Sequence, residues 1–146
     1  KLGLGELKLL EGTSFEKTNL KSIVDEIPSV IFSNNQLQIN FIEHGSIKRK
    51  SLPISATHYR INILWCRINE TNYDTKFRKS ETVPLMIDQP LSINGLIIMD
   101  LEEPLEVDDV LIVIFGIEFL QEINDELNEL TENKAVTIIN GFTGKS

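Results

Sequence analysis

The sequence predicts an all-β protein: an antiparallel two-sheet sandwich of the immunoglobulin or fibronectin-III type, with about seven strands. Apolar residues alternate with period two over long stretches, and turn residues recur at intervals of roughly ten positions. Helical spacing is confined to one short stretch near the start of the chain. No repeat of about 20 to 50 residues is visible, which argues against a propeller or a solenoid.

The stretch 108–123 has the strongest pattern. One face carries apolar residues at every second position, namely Leu111, Val113, Phe115, Ile117 and Phe119. The other face is apolar up to Ile114 and becomes polar at Glu118, so we expect a strand that starts in the core and runs out toward solvent. A straight strand of this length would span roughly 50 Å, so a bend or bulge is expected at Gly116.

Three parts of the chain are distinguished. Residues 1–28 are predicted to form an N-terminal arm or edge segment with a short helix, which Asn19 caps and Pro28 ends. Residues 29–140 form the β-sandwich domain, and residues 141–146 form a tail.

The domain is predicted to open with a hairpin. Residues 29–33 and 36–42 are its strands, and Asn34-Asn35 suits a two-residue turn because asparagine tolerates positive φ. A polar connection over 43–56 leads to a second long strand, 57–68.

The middle of the chain is predicted to be less regular. Residues 69–79 are hydrophilic and are interpreted as a surface loop. Residues 81–88 form a short strand that Pro84 confines to a sheet edge, because proline lacks the N–H donor. A turn over 92–95 leads to a strand over 96–101.

The chain is predicted to end with a loop or short helix over 124–134 and a last strand over 135–140. Edge strands pair readily with a neighbouring molecule. Pro84 in one edge strand, and Val136 and Ile138 in the last strand, are therefore predicted interface residues.

Composition excludes several classes of partner. With 41% hydrophobic and 25% charged residues, the chain has the composition of a folded domain. A net charge of −8 argues against nucleic acid and anionic membranes, and Lys48-Arg49-Lys50 is interpreted as a solvated loop. No stretch approaches the roughly 18 apolar residues of a membrane-spanning helix, so no membrane insertion is predicted.

The start of the chain leaves the compartment open. It begins Lys-Leu-Gly-Leu-Gly, with neither an initiator Met nor a signal-like segment. We expect a fragment or a processed product.

Residues that carry chemistry are sparse. Cys66 stands alone, so it forms no intrachain disulfide, and it is interpreted as a small core hydrophobe. His44 and His58 are the only histidines, and His58 lies about 26 Å from Cys66 if both are on one straight strand. We therefore predict no catalytic residues and no cofactor.

The loop 102–109 is acidic. Glu102, Glu103, Glu106, Asp108 and Asp109 could supply oxygen ligands to a cation, but their spacing matches no EF-hand. We interpret the aspartate pair as solubilising gatekeepers and predict no metal site, while the sequence leaves cation binding by this loop open.

Two further features have ordinary explanations. Tyr59 and Trp65 lie on the apolar face of their strand, so we interpret them as core residues and not as an aromatic platform. The sequon Asn69-Glu70-Thr71 is relevant only in a glycosylating secretory route.

Three segments carry a resemblance: Leu9-Leu10-Glu11-Gly12 with Phe15, Ser55 to Arg60, and the more specific Gly116-Ile117-Glu118-Phe119-Leu120-Gln121-Glu122-Ile123-Asn124. In this order they resemble the C-terminal region of a family of uncharacterised Bacteroidota proteins. The likeness covers most of the chain, and the family usually has an additional basic N-terminal portion. The chain departs from the family at Asp125-Glu126-Leu127, where relatives tend to have glycine and aromatic residues. The resemblance implies a fold and supplies no catalytic residues.

The predicted function is that of a non-enzymatic structural or protein-interaction module in a larger assembly, with protein partners and self-association. The alternative is a carbohydrate-type ligand-binding module that uses loops at one end of the sandwich, with His44, Tyr73 or Trp65 as contact residues. A hydrolase is the third interpretation, and it requires a histidine beside a nucleophile or carboxylate.

Overall fold

The computed structural model describes residues 28–42, 44, 45, 47, 48 and 52–143, without the side chains of 131–135, 137, 140 and 143. The predicted arm and helix over 1–27, Arg49 and Lys50 of the basic triplet, and residues 144–146 of the predicted tail lie outside the described residues. The described strands are β1 Ser29–Ser33, β2 Gln36–Asn40, β3 His58–Asn69, β4 Thr75–Glu81, β5 Leu85–Met86, β6 Leu96–Asp100, β7 Asp109–Ile123 and β8 Glu126–Thr143. A short 3₁₀ helix spans Leu91–Asn94.

The strands form two antiparallel sheets. The smaller sheet has the order β1-β2-β6, and the larger has the order β4-β3-β7-β8, with β5 paired to the first residues of β3. The predicted all-β class with two antiparallel sheets is confirmed.

The pairing of β3 with β7 organises the larger sheet. Its register runs without a break from His58 opposite Leu120 to Asn69 opposite Asp109. Paired residues share a face of the sheet, so the odd-numbered side chains of both strands point the same way. On this inner face Trp65 and Phe115 are buried, in one core with Leu37 and Ile39 of the smaller sheet. We call the opposite side of the larger sheet its outer face.

The pairing of β7 with β8 is irregular around Gly116. Its register shifts between Val113 and Ile114 and again between Ile117 and Phe119. Gly116 itself stays paired, to Asn62 on one side and to Val136 on the other. The predicted irregularity is therefore present, but it lies to either side of the glycine instead of at it.

Two asparagine-containing turns close hairpins of the same kind. Asn34 and Asn35 have φ of 50° and 62°, which confirms the predicted turn. Asn124 and Asp125 have φ of 52° and 65° and join β7 directly to β8. The prediction of a loop or short helix over 124–134 is wrong, because β8 already starts at Glu126 and extends to Thr143, into the predicted tail.

The predicted surface loop over 69–79 is also wrong, because β4 occupies Thr75–Glu81 at the edge of the larger sheet. Nearly all its side chains are exposed, so the strand has no alternation of apolar and polar residues to reveal it. The strand predicted over 81–88 shrinks to Leu85–Met86, and Pro84 lies in the gap where pairing to β3 passes from β4 to β5.

Tyr59 and Trp65 are core residues, as predicted. Trp65 is 1% exposed, and its indole Nε1 has no hydrogen-bond partner among the described residues. The Tyr59 hydroxyl donates to the Gln89 carbonyl at 2.8 Å. The interpretation of Cys66 as a core residue is wrong, because even-numbered residues of β3 point away from Trp65 and Cys66 lies half-buried on the outer face.

Removing the Tyr59 hydroxyl should change stability in a pH-dependent way. Burial raises the pKa of Tyr59 to about 12, against about 10 for a free phenol. A raised folded-state pKa stabilises the fold below pH ~10, and this contribution disappears as the pH rises through the folded value. We expect Tyr59→Phe to lose about 0.5–1.5 kcal/mol at neutral pH, from the lost hydrogen bond. The variant should also lose less stability than the wild type between pH ~10 and ~12. Urea unfolding across this range measures both effects, and parallel pH profiles would contradict the assignment.

Candidate functional site

The outer face of the larger sheet carries a continuous group of apolar side chains. Cys66 pairs with Phe77 on β4 and with Ile112 on β7. Leu64 and Ile114 form the adjacent row. We call these five residues the outer stripe. Phe77 is 66% exposed and the other four are half-buried. Single exposed apolar residues are ordinary, whereas a contiguous exposed group marks an interaction surface.

A buried ion pair lies on the same face, two rows from the outer stripe. Glu118 of β7 is 4% exposed and faces Arg60 of β3. The Arg60 Nε and Nη2 atoms lie 2.6 and 2.5 Å from Glu118 Oε1. Asn62 Nδ2 donates to the same oxygen at 3.1 Å. Three donors therefore converge on one carboxylate oxygen.

These contacts control the ionisation of Glu118. Burial by itself would raise the pKa of its carboxyl group. Hydrogen bonds with Glu129, Asn62 and Arg60, together with the positive charge of Arg60, outweigh burial and hold the pKa below its usual value. Glu118 is therefore a buried carboxylate that stays charged at neutral pH.

A pocket of about 430 Å³ opens above this ion pair. Gly116 is part of its lining, lies between Asn62 and Val136 and contributes no side chain. Leu64, Ile114 and Val136 form apolar walls, and the charged residues of the lining are Arg60, Lys79, Glu81, Glu118 and Glu129. The missing side chain in a row of otherwise filled positions accounts for the depression.

One polar atom at the pocket is unsatisfied. Asn62 Oδ1 is buried and has no hydrogen-bond partner among the described residues. A flip of this side-chain amide is disfavoured, because Nδ2 donates a hydrogen bond to the Glu118 carboxylate and an oxygen in its place would not. A buried amide oxygen therefore lies next to the pocket.

The two predicted ligand-loop residues are not brought together. The carbonyl of His44 accepts from the backbone N–H of Ser92, close to Gln89, which is bonded to Tyr59 near the start of β3. Tyr73 is 77% exposed and follows the end of β3. Because β3 spans roughly 36 Å at its usual rise, His44 and Tyr73 lie at opposite ends of the larger sheet.

The three predicted interface residues do not lie on one edge of the larger sheet. Pro84 lies beside β5 on the β4 side of the larger sheet, whereas Val136 and Ile138 lie in β8 on the other side. Val136 pairs with Gly116 and Ile138 with Ile114, so both side chains belong to the outer face. Val136 lines the pocket, while Ile138 is buried.

The two histidines have different surroundings. His58 Nδ1 lies 2.8 Å from the Thr57 hydroxyl oxygen, which also accepts from the backbone N–H of Glu122 at 2.8 Å. His58 and Cys66 lie eight positions apart on the continuous strand β3, about 26 Å at the usual rise, as expected. His44 packs against Phe41, with ring centroids 6.2 Å apart.

The acidic loop 102–108 is built against the inner face around a second buried ion pair. Arg67 donates to the carbonyls of Glu103 and Pro104 at 2.7 and 2.9 Å and pairs with Asp109. Asp109 is 4% exposed, so its interpretation as a solvent-facing gatekeeper is wrong. This pair is not visible in the sequence, because Arg67 lies 42 positions before its partner.

The other Asp109 contacts complete the network. Asn69 Nδ2 donates to it at 3.0 Å, and the backbone N–H of Glu106 donates at 2.7 Å. The same Asn69 side chain accepts hydrogen bonds from the backbone N–H groups of Thr71 and Asn72. Both ends of the sequon's asparagine amide are therefore hydrogen-bonded within the protein. Within the described part of the chain, no three carboxylate, histidine or cysteine side chains come together as a metal site.

Removing the Arg67 guanidinium should strongly destabilise the protein. In Arg67→Met the Asp109 carboxylate stays buried without its cation, which costs about 3–5 kcal/mol. Lys76→Met is the matched control, because it breaks an exposed ion pair with Glu103 and should cost far less. Urea unfolding at neutral pH compares the two variants, and equal losses would contradict the role of the Arg67–Asp109 pair.

The Asp109 carboxylate should also shape acid stability. Burial alone would raise its pKa, but hydrogen bonds from Glu106, Arg67 and Asn69 hold it below the usual value. A lowered folded-state pKa adds stability above pH ~3.9, and this is lost as the pH falls through the folded value. We expect Asp109→Asn to lose less stability than the wild type on acidification, measured by urea unfolding from neutral to acid pH. An unchanged acid profile would contradict this.

Comparisons with protein-family models, with curated proteins and with solved structures find no match to this chain. In the described residues, no helix has the length and apolar character needed to cross a membrane.

Proposed function

We propose that the protein is a non-enzymatic protein-binding module of a larger assembly, and that it binds its partner through the outer face of the larger sheet. The outer stripe is the observation that carries this proposal. Phe77 offers an exposed aromatic anchor, and Cys66, Ile112, Leu64 and Ile114 surround it with apolar contact area. Aromatic anchors within apolar surroundings supply much of the energy of protein interfaces.

The neighbouring pocket favours one kind of partner. Three carboxylates and two cationic side chains line it among the described residues, and the chain as a whole carries a net charge of −8. A basic protein surface is therefore electrostatically complementary to this face, whereas a second copy of the chain brings the same negative charge.

The type of sandwich is part of the proposal. The strand orders β1-β2-β6 and β4-β3-β7-β8 match those of an immunoglobulin or fibronectin-III sandwich whose second sheet is extended by one strand. Trp65 also lies in β3, the third of the described strands, and is buried in the core, as in immunoglobulin domains. These features support an immunoglobulin-like type. Membership of the Bacteroidota family remains a proposal that rests on the sequence segments alone.

The residues named for the carbohydrate-type alternative do not form one binding site. Trp65 is enclosed in the core, and His44 and Tyr73 lie at opposite ends of the larger sheet. No observation on the outer face favours a sugar over a protein.

Replacing Phe77 should weaken the interaction while leaving the fold intact, because its side chain is exposed. A photo-crosslinking amino acid at position 77 should capture a defined partner in cells of the native source. The same group at Ile98, an exposed residue of the smaller sheet, is the matched control and should not. Phe77→Glu should weaken binding of the captured partner roughly 30-fold, as expected for an interface anchor, and Ile98→Glu should leave it unchanged.

Sedimentation of the same variants tests self-association. A dimer that Phe77→Glu dissociates and Ile98→Glu preserves would identify a second copy as the occupant of the outer face. Identical crosslinks from positions 77 and 98, or binding indifferent to both substitutions, would reject the outer face as the interface.

A further inference from the structure

The strand β4 has one edge that no described strand pairs with, because the order of the larger sheet ends there. The backbone N–H of Asn69 donates to the Asp74 carbonyl at 2.9 Å. The N–H of Thr82 donates to the Ile61 carbonyl at the same distance. In an antiparallel pair, residues that bond to the neighbouring strand alternate with residues whose backbone groups point away from it. The odd-numbered residues of β4 therefore direct their N–H and C=O groups away from β3. We call this side of β4 the open edge.

The charges of β4 restrict what the open edge accepts. Three of its seven residues are cationic, Lys76, Arg78 and Lys79, and one is anionic, Glu81. Charged side chains on an edge strand disfavour unselective pairing, because most incoming strands bring like charges or apolar side chains against them. A strand that pairs here needs a complementary order of charges.

The sequence of the open edge is complementary to itself about Ser80. In a two-fold antiparallel pair, residues equidistant from the axis face each other. With the axis at Ser80, Lys79 of each copy faces Glu81 of the other, so two pairs of opposite charges form. Phe77 then faces Val83, which is 78% exposed. One register therefore joins cation to anion and apolar residue to apolar residue.

The other two-fold registers of β4 are unfavourable. A charged residue on the axis faces its own copy, which disfavours axes at Lys76, Arg78, Lys79 and Glu81. An axis at Phe77 places Lys76 opposite Arg78. An axis at Thr75 requires extended backbone at Tyr73, whose φ of 62° is left-handed. Of the axes on residues of β4, the one described above remains.

We propose that two copies of the protein pair through the open edge of β4, as a two-fold dimer with one continuous antiparallel sheet. Strand addition at a sheet edge is a recurring mode of protein recognition. The net charge of −8 repels two copies, but salt screens this repulsion beyond about 8 Å at physiological ionic strength, whereas the charges of the open edge meet directly. The inference goes beyond the proposed function, because it concerns the edge of the larger sheet and not its outer face. The dimer carries two outer stripes on one side of the joined sheet.

A disulfide tests the register. The two copies of Ser80 on the axis form a pair without mutual backbone hydrogen bonds, whose Cα atoms lie about 4.5 Å apart, within the range that a disulfide bridges. In a Cys66→Ser background, Ser80→Cys should therefore form a disulfide-linked dimer in a glutathione redox buffer, read by non-reducing electrophoresis. Arg78→Cys on the same strand and Ser33→Cys on the smaller sheet are the matched controls. Neither should crosslink, since the two copies of position 78 lie roughly 13 Å apart along the strands in this register.

Charge reversal tests the pairing of Lys79 with Glu81. Lys79→Glu places like charges opposite each other across the axis, and it should raise the dimer dissociation constant at least roughly 10-fold in sedimentation equilibrium. Glu81→Lys should have the same effect. The double variant, Lys79→Glu with Glu81→Lys, restores opposite charges in the same register and should recover the dimer. Recovery also shows that the single variants did not fail by unfolding.

The outcomes separate this inference from the proposed function. A protein that stays monomeric in sedimentation, equal crosslinking at positions 78 and 80, or no recovery in the double variant would overturn the edge dimer. A different partner captured at position 77 would remain valid in each of these cases. A dimer that Phe77→Glu dissociates, but that does not crosslink through position 80, lies on the outer face and would also overturn it. Conversely, specific crosslinking at position 80 without any other partner captured at position 77 would preserve the edge dimer and reject the proposed function.

Discussion

The uninterrupted register between β3 and β7 is the constraint on which the rest of the structure depends. A slip of one residue would turn every inner side chain of a strand outward, so burial of one face fixes the register of the whole pair. Trp65 and Val113 meet in the core because of this register, and Cys66 and Ile112 meet on the opposite side. The core and the outer stripe are therefore two consequences of the same pairing. The pocket follows as well, because Gly116 falls opposite Asn62.

The larger sheet contains two buried arginine–carboxylate pairs that serve different purposes. On the inner face, Arg67 and Asp109 spread their hydrogen bonds over Asn69, the backbone of Glu106 and two loop carbonyls. This network holds the acidic loop against the core, and the Asp109 carboxylate is bound by groups of the protein itself. On the outer face, Arg60 and Asn62 both donate to one oxygen of Glu118, and Asn62 Oδ1 has no partner in the part of the chain that the structure describes. The inner pair therefore holds a loop, whereas the outer pair lies at the edge of a pocket.

How far the sequence predicts this molecule depends on burial. Strands β3 and β7 alternate apolar and polar residues because one face is in the core, so their positions were predictable. Strand β4 and the start of β8 are exposed on both faces, and only pairing with a neighbouring strand makes them extended. The turn at Asn34-Asn35 was recognisable because apolar runs flank it. The turn at Asn124-Asp125 was not predicted, because no apolar run follows it.

The candidate site was predictable only in fragments for the same reason. The change from Gly116 to Glu118 was visible as the point where the outer face of β7 becomes polar. Nothing in the sequence connects Glu118 to Arg60, because the ion pair joins residues 58 positions apart and exists only once the register is set.

The cost of burying Glu118 bears on why it is there. Aliphatic side chains at positions 60 and 118 would extend the outer stripe without desolvating a charge, and such replacements of buried ion pairs are often neutral or stabilising. Stability alone therefore does not account for an arginine and a glutamate at the bottom of a pocket. Their three convergent hydrogen bonds offset the desolvation of the carboxylate and fix the Asn62 amide beside it. A sheet face that joins apolar contact area to a paired charge at the edge of a pocket suits a partner that offers both apolar and polar groups, which is the kind of partner we propose.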